Sequence, residues 1–289
     1  MWAILALTAA FLTSFNPILY KRILVNASPL VAVWGVIGLA LPLLALSTFA
    51  IDSTLPRVDW LFIMAALGSA TLNALAHVSS ARSLKLADAS LVTPLLTFSP
   101  IFTLVISIIF LGETPDAQGF FGVALVLVGA YWLNRGPGAS WSIPFKAISA
   151  KPGVTLVLLA GLLWAITPIL EKLATQHTAP ESPRLVALTV NGALVGLLTP
   201  IVIRRGRLSL EALARRKREW WVAAAVAATA PILGFTAFSL GPVGYVTALF
   251  RLSTVFTVLW GTWLLREPGF RHRLPASGVM VAGTILIVT

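Results

Sequence analysis

A cation inside an apolar run is the feature of this sequence best suited to chemistry. Arg251 lies mid-way along the run ALFRLSTVF. A guanidinium at the centre of a membrane span costs about 2.5–3.5 kcal/mol on insertion scales, so it must face protein or water. There it can meet an anionic group such as a carboxylate or phosphate. It can equally pair with a carbonyl or with Glu171 and lock helices together. Asn73 and His77 are four residues apart, so on a helix they share a face. Asn16, Thr167, Asn191 and Tyr245 are further polar points inside apolar runs, and Trp164, close to Thr167 and Pro168, could stack on a bound molecule. Each of these side chains has a plainer use as polar glue between helices. Lys21 and Lys172 end similar runs, Pro17-Ile18-Leu19 and Pro168-Ile169-Leu170. They can snorkel to lipid headgroups or attract anions at a cavity mouth. Glu171 precedes Lys172 and could take up a proton in coupling or serve as a salt-bridge partner.

Enzyme chemistry finds little support. The ten acids fall at helix ends or in loops, and His77, His177 and His272 are scattered without metal-ligand spacing. There is no cysteine, which removes disulfides and thiolate metal sites. No glycine-rich phosphate loop follows a strand pattern. Neither a cofactor nor a metal is expected.

The elements that must position these residues follow from composition. Apolar residues form 58% of the 289-residue chain and charged residues 11%, against roughly 25% charged in soluble domains. So few charges cannot cover a water-soluble surface, whereas hydrocarbon solvates apolar side chains. A spanning helix needs about 20 mostly apolar residues. Ten stretches fit: 2–20, 29–50, 60–81, 89–111, 117–133, 154–174, 184–203, 220–240, 243–265 and 274–289. The fold class is therefore an all-α membrane protein. The apolar start, lacking a basic leader, reads as the first span and not as a removed signal peptide. Pro29, Pro115, Pro183, Pro242 and Pro275 stand near proposed helix starts, where a missing N–H costs little. Pro17, Pro42, Pro94, Pro100, Pro168 and Pro231 fall inside spans and suggest kinks. Residues 134–153, rich in Gly and Pro, read as a linker. The Arg-rich segment 204–219 holds a short stretch, Leu208 to Ala214, suited to lying on headgroups before the anchor Trp220-Trp221. The net charge of +11 then belongs to loops at the lipid surface, and no nucleic-acid partner is implied.

The two halves echo each other. At an offset of 154, residues 91–113 and 245–267 share eight of 23 positions: Val92, Thr93, Leu95, Ser99, Phe102, Thr103, Leu111 and Glu113. Gly129 and Gly283 keep the same offset, and Glu113 and Glu267 end their helices at matched positions suited to an interface or a gate. The units are 1–133 and 154–289, five helices each. An odd number of helices per unit inverts one unit relative to the other, the plan of many secondary transporters. Loops of odd order carry 17 of the 21 basic residues, which places them in the cytoplasm and both termini outside.

Residues 90–133, SLVTPLLTFSPIFTLVISIIFLGETPDAQGFFGVALVLVGAYWL, resemble the fourth and fifth helices of an EamA-type domain of the drug/metabolite transporter superfamily. The carriers of that likeness are the small-residue start, the paired prolines, the LGE ending and the Gly-containing last helix. Residues 245–289 resemble the same block with LLRE for LGE, and the segments ending at Lys21 and Lys172 resemble the family's first-helix ends. The resemblance implies a ten-helix carrier with a central cavity that moves amino acids, other metabolites, drugs, nucleotide sugars or phosphorylated sugars, often outward. It also implies both termini in the cytoplasm, against the charge distribution. Small relatives couple transport to protons through a Glu within the first helix, which this chain lacks. The expected function is a secondary transporter, an exporter, working by alternating access in the cell (inner) membrane, with a small-molecule substrate and membrane lipids as its partners. The alternative is a membrane-embedded enzyme acting on lipid or isoprenoid substrates.

Overall fold

The computed structural model describes residues 1–51, 55–86, 95–134, 152–205, 217–265 and 270–289. Most of the linker, the stretch Leu208–Ala214, Pro94 and Glu267 fall outside those residues. Helices follow one another as α1 (Trp2–Thr13), α2 (Asn16–Ile23), α3 (Pro29–Ile51), α4 (Trp60–Leu86), α5 (Ser99–Leu111) and α6 (Ala117–Asn134). The second half continues with α7 (Pro152–Gln176), α8 (Pro183–Arg205), α9 (Lys217–Leu240), α10 (Val243–Phe250), α11 (Ser253–Leu265) and α12 (Phe270–Val288). Two short strands, β1 (Arg57–Val58) and β2 (Thr178–Ala179), pair antiparallel with Arg57 opposite Ala179.

Among the described residues, eight helical stretches are long and apolar enough to cross a membrane, and Ser99–Leu111 and Arg273–Val288 are shorter apolar helices. The distribution of side chains is that of a protein solvated by hydrocarbon. Large apolar residues such as Ile4, Phe49, Ile109, Phe110 and Phe121 point outward, while Ala6, Ala66, Ala70, Ala160 and Ala187 are fully buried. Small residues between helices let backbones approach closely, which is how dispersion holds helices together where no water remains to be expelled. The α6–α12 pair is the clearest case. A β-carbon on Gly122 would meet the Gly283 carbonyl at 2.7 Å, and one on Gly129 would meet Met280 Cγ at 2.5 Å.

Three stretches expected as continuous spans are broken near their middles. The first turns at Ser14–Phe15, so that Pro17 sits in the opening turn of α2 and removes no helical hydrogen bond. The carbonyl freed at Ser14 accepts the Thr257 hydroxyl at 2.9 Å, and Trp260 Nε1 donates to Ser14 Oγ at 2.9 Å. The other two turns, at Thr97–Phe98 and Arg251–Leu252, are related by the same offset of 154 that relates the halves. Around Arg251 the backbone tightens to i→i+3 bonds, Arg251 N–H to the Ala248 carbonyl and Leu252 N–H to the Leu249 carbonyl, both at 3.0 Å. Backbone irregularity at membrane depth is tolerated where it is enclosed by protein or borders a wet space. Pro42, Pro168, Pro200, Pro231 and Pro275 lie inside helices; Pro275 is inside because α12 begins ahead of the expected 274.

Packing fixes the two ends of the bundle. At one end Trp2 lies against Gly241, β1 meets β2, and Asp59 Oδ2 pairs with His177 Nδ1 at 2.7 Å. Gln118 Nε2 donates to Thr289 Oγ1 there at 2.9 Å. At the other end Arg22 and Glu219 pair at 3.6 Å, the Ser83 hydroxyl donates to the Gly153 carbonyl at 2.7 Å, and Ile23 packs with Trp220.

Candidate functional site

A cavity of 580 Å³ lies between the halves, within the ordinary size of a small-molecule site. The helix breaks shape its wall. The turn after α1 brings Asn16 to it, the turn before α5 brings Ser99, and the turn between α10 and α11 brings Arg251 and Ser253. Uninterrupted helices supply the rest: α4 gives Asn73 and His77, α7 gives Trp164, Thr167 and Glu171, and α8 gives Asn191.

Arg251 Nη2 donates to Ser99 Oγ at 2.8 Å. Among the described residues no carboxylate lies within ion-pair distance of that guanidinium. Its remaining N–H donors therefore have room for an acceptor that enters the cavity. Glu171 is 6% exposed; its Oε1 accepts the Ser69 hydroxyl at 2.8 Å, and Asn73 Nδ2 donates to the same hydroxyl at 3.3 Å. The hydroxyl and, behind it, the amide form a short polar chain from α4 to this carboxyl group. His77 meets Trp164 edge-on, with ring centroids 5.3 Å apart at 79°. Thr167 Oγ1 donates within its own helix to the Trp164 carbonyl at 3.2 Å. Phe235, Phe238 and Phe250 add apolar wall, so the space joins an aromatic lining to a few separated polar groups.

The structure brings Arg251, His77, Asn73, Asn16, Trp164, Thr167 and Glu171 to one cavity. It does not bring the other three expected residues there. The Tyr245 hydroxyl donates to Asp116 Oδ1 at 2.8 Å, and the Tyr245 ring lies 6.3 Å from that of Trp2. Lys172 follows Glu171 by one residue, roughly 100° around the helix, and turns to Glu113 Oε1 at 2.6 Å. Lys21 is exposed at the opposite end of the bundle. Sequence reasoning did not single out Ser99 as the guanidinium's partner, nor Thr13 and Tyr20, which also line the space. The available signal was the match of Ser99 with Ser253 across the repeat.

Outside the spans, two carboxyls are held below the usual carboxylate range. For Asp59 the causes are the Phe62 backbone N–H and then His177; for Asp116 they are the Tyr245 hydroxyl and then the Gly119 N–H. Both belong to the end where Trp2 lies and neither faces the cavity. Among the described residues no three His, Asp or Glu side chains gather as metal ligands.

A model of the EamA-like transporter family matches residues 1–135 and again residues 151–289. A solved structure described only as a crystal structure of a protein superposes with a TM-score of 0.79 over 99% of this chain and 98% of its own, at 14% identity. That identity carries a likeness of fold alone. No curated protein matches the sequence.

Proposed function

The chain belongs to the EamA-like transporter family, matched in both halves, and from that premise we propose that it is a secondary transporter, an exporter, that carries a small metabolite or drug through the central cavity by alternating access. The observation that supports this reading best is the guanidinium of Arg251. It stands at the wall of the 580 Å³ space, bonded to a neutral hydroxyl and without a carboxylate partner among the described residues. A cation left in that state at membrane depth is costly, and an anionic substrate group offsets the cost each time it binds. Asn73, His77, Asn16, Trp164 and Thr167 surround the remainder of the substrate. Glu171 is the coupling group, because it is a carboxylate on the cavity wall with hydroxyl and amide donors behind it.

Ten spans arranged as inverted units, 1–133 and 154–289 with a linker at 134–153, agree with the packing. The beginning of the first span and the end of the sixth meet at one end of the bundle, joined through Gly241, which touches Trp2 and accepts from Lys172. The matched turns at Thr97–Phe98 and Arg251–Leu252 agree as well. The basic residues of the odd loops favour the Lys21 end as cytoplasmic, in the cell (inner) membrane. An N-terminal tag reached by impermeant antibody in intact cells supports that orientation, and a tag reached only after lysis reverses it.

Liposome flux tests the proposal. Purified protein should release preloaded organic anions or amphipathic metabolites faster than empty vesicles, with saturation. Glu171→Gln should keep solute exchange but lose its response to a pH gradient. A panel of such solutes that moves no faster than in protein-free vesicles would overturn the carrier reading, and a normal pH response in the Gln variant would remove Glu171 from coupling.

A further inference from the structure

The ion pair of Lys172 and Glu113 joins elements far apart in sequence. Lys172 Nζ lies 2.6 Å from Glu113 Oε1 and donates a second bond to the Gly241 carbonyl at 3.0 Å. The other carboxylate oxygen, Glu113 Oε2, accepts the Val243 backbone N–H at 2.7 Å. The end of α5, the last turns of α7 and the turn from α9 into α10 are thus tied through two side chains. Both are largely buried, with side-chain exposures of 12% and 14%. Val243 begins α10, so the carboxylate also meets the positive end of a helix.

The surroundings are closely packed. Gly241 lies so close to Trp2 that a β-carbon there would meet the indole Cγ at 2.6 Å. A β-carbon on Gly119 would collide with the Tyr245 hydroxyl, and one on Gly244 with Leu104. Thr247 lines the cavity, four residues beyond Val243 on the same helix, about one turn deeper. The tie therefore sits between the cavity and the Trp2 end. Lys172 also adjoins Glu171, which lies on the cavity wall, so a rotation or shift of the last turns of α7 moves both together.

We propose that the Lys172–Glu113 pair, with the Gly241 carbonyl and Val243 N–H it engages, is the latch that keeps the cavity closed toward the Trp2 end and must part for the cavity to open there. The assignment deepens the carrier reading and rests on it for its purpose, though not for its measurement. Dry, the two charges satisfy each other and two backbone groups. Parted and hydrated, each gains water, so the closure holds without being irreversible. Loss of one partner strands the other charge in a nearly buried place, a strong bias against the closed arrangement.

The sequence has no cysteine, so one introduced thiol reports alone. Thr247→Cys places it in the cavity next to the latch. The measurement is its rate of reaction with a membrane-impermeant maleimide applied from the face where Trp2 lies, in oriented vesicles without substrate. Lys172→Gln and Glu113→Gln should each raise that rate about tenfold or more. Glu113→Gln keeps an oxygen for the Val243 N–H but turns an amide NH2 toward Lys172, which loses both the opposite charge and its acceptor. If Lys172→Gln does not fold, Glu113→Gln decides the matter alone. Labelling as slow as in the unaltered latch, in folded protein, would overturn the assignment. Because no solute is present, a chain that labels faster yet moves nothing in liposomes keeps the latch and loses the carrier.

Discussion

Replacing Arg251 by alanine should weaken binding of an anionic substrate while sparing the fold. The guanidinium has one described partner, the Ser99 hydroxyl at 2.8 Å, which leaves donors for the substrate. A hydrogen bond to a charged group contributes about 1.5–3 kcal/mol, and each 1.4 kcal/mol is about tenfold in affinity. Arg251→Ala should therefore raise the half-saturation concentration of an anionic substrate about ten- to 150-fold. Stability should change little. The arginine forms no ion pair among the described residues, and its removal also lifts the cost of holding a cation at membrane depth. Arg251→Lys should fall between the two, since an ammonium keeps the charge but not the planar fork that grips a carboxylate. The assay is counterflow in liposomes over a range of substrate concentrations, with melting in detergent as the control for folding. An alanine variant that moves anionic solutes with unchanged half-saturation would refute the placement of the substrate, and Arg251 would be a packing residue bonded to Ser99.

Two further outcomes follow from the packing and the loops. Gly283→Ala puts a β-carbon 2.6 Å from the Gly122 carbonyl and 2.8 Å from the Val126 nitrogen, both backbone atoms that cannot step aside. It should destabilise the protein by about 1–3 kcal/mol, whereas Gly278→Ala, with nothing within 4 Å, should melt at or above the parent temperature; equal melting of the two variants would contradict the α6–α12 contact. Asp116→Asn should lower the melting temperature at neutral pH. The folded carboxyl is held below its ordinary range by the Tyr245 hydroxyl and the Gly119 N–H, so its contribution is complete above about pH 4, the unfolded value, and disappears as pH falls through the folded value. The gap between parent and variant should close on acidification, and a gap that widens would contradict that sign.

Much of the site was legible because helical spacing is strict. Asn73 and His77, four apart, could only share a face, and both reach the cavity. The register match of 91–113 with 245–267 carried real three-dimensional information, since the turns at Thr97–Phe98 and Arg251–Leu252 fall at matched places. The turns themselves were not legible. Neither Arg251 nor Leu252 is a helix breaker, so no local residue type marks the change to i→i+3 bonding there. Tyr245 illustrates the same limit. Its span was visible, but which way its ring turned depended on Asp116 in a distant loop and on Gly119, whose missing side chain leaves room for the hydroxyl. Glu171 and Lys172 show how fine the margin is: one residue of helical rotation separates a carboxylate on the cavity wall from an ammonium in the latch.

The claim on which the account turns is that one cavity serves both faces of the membrane in alternation. A single cysteine at Ser253, on the cavity wall beside Arg251, measures this without knowledge of the substrate. Impermeant maleimide should label it from either face when applied separately, and conditions that slow labelling from one face should speed it from the other. A thiol that reacts from neither face, or from one face under every condition, would contradict alternating access through this space.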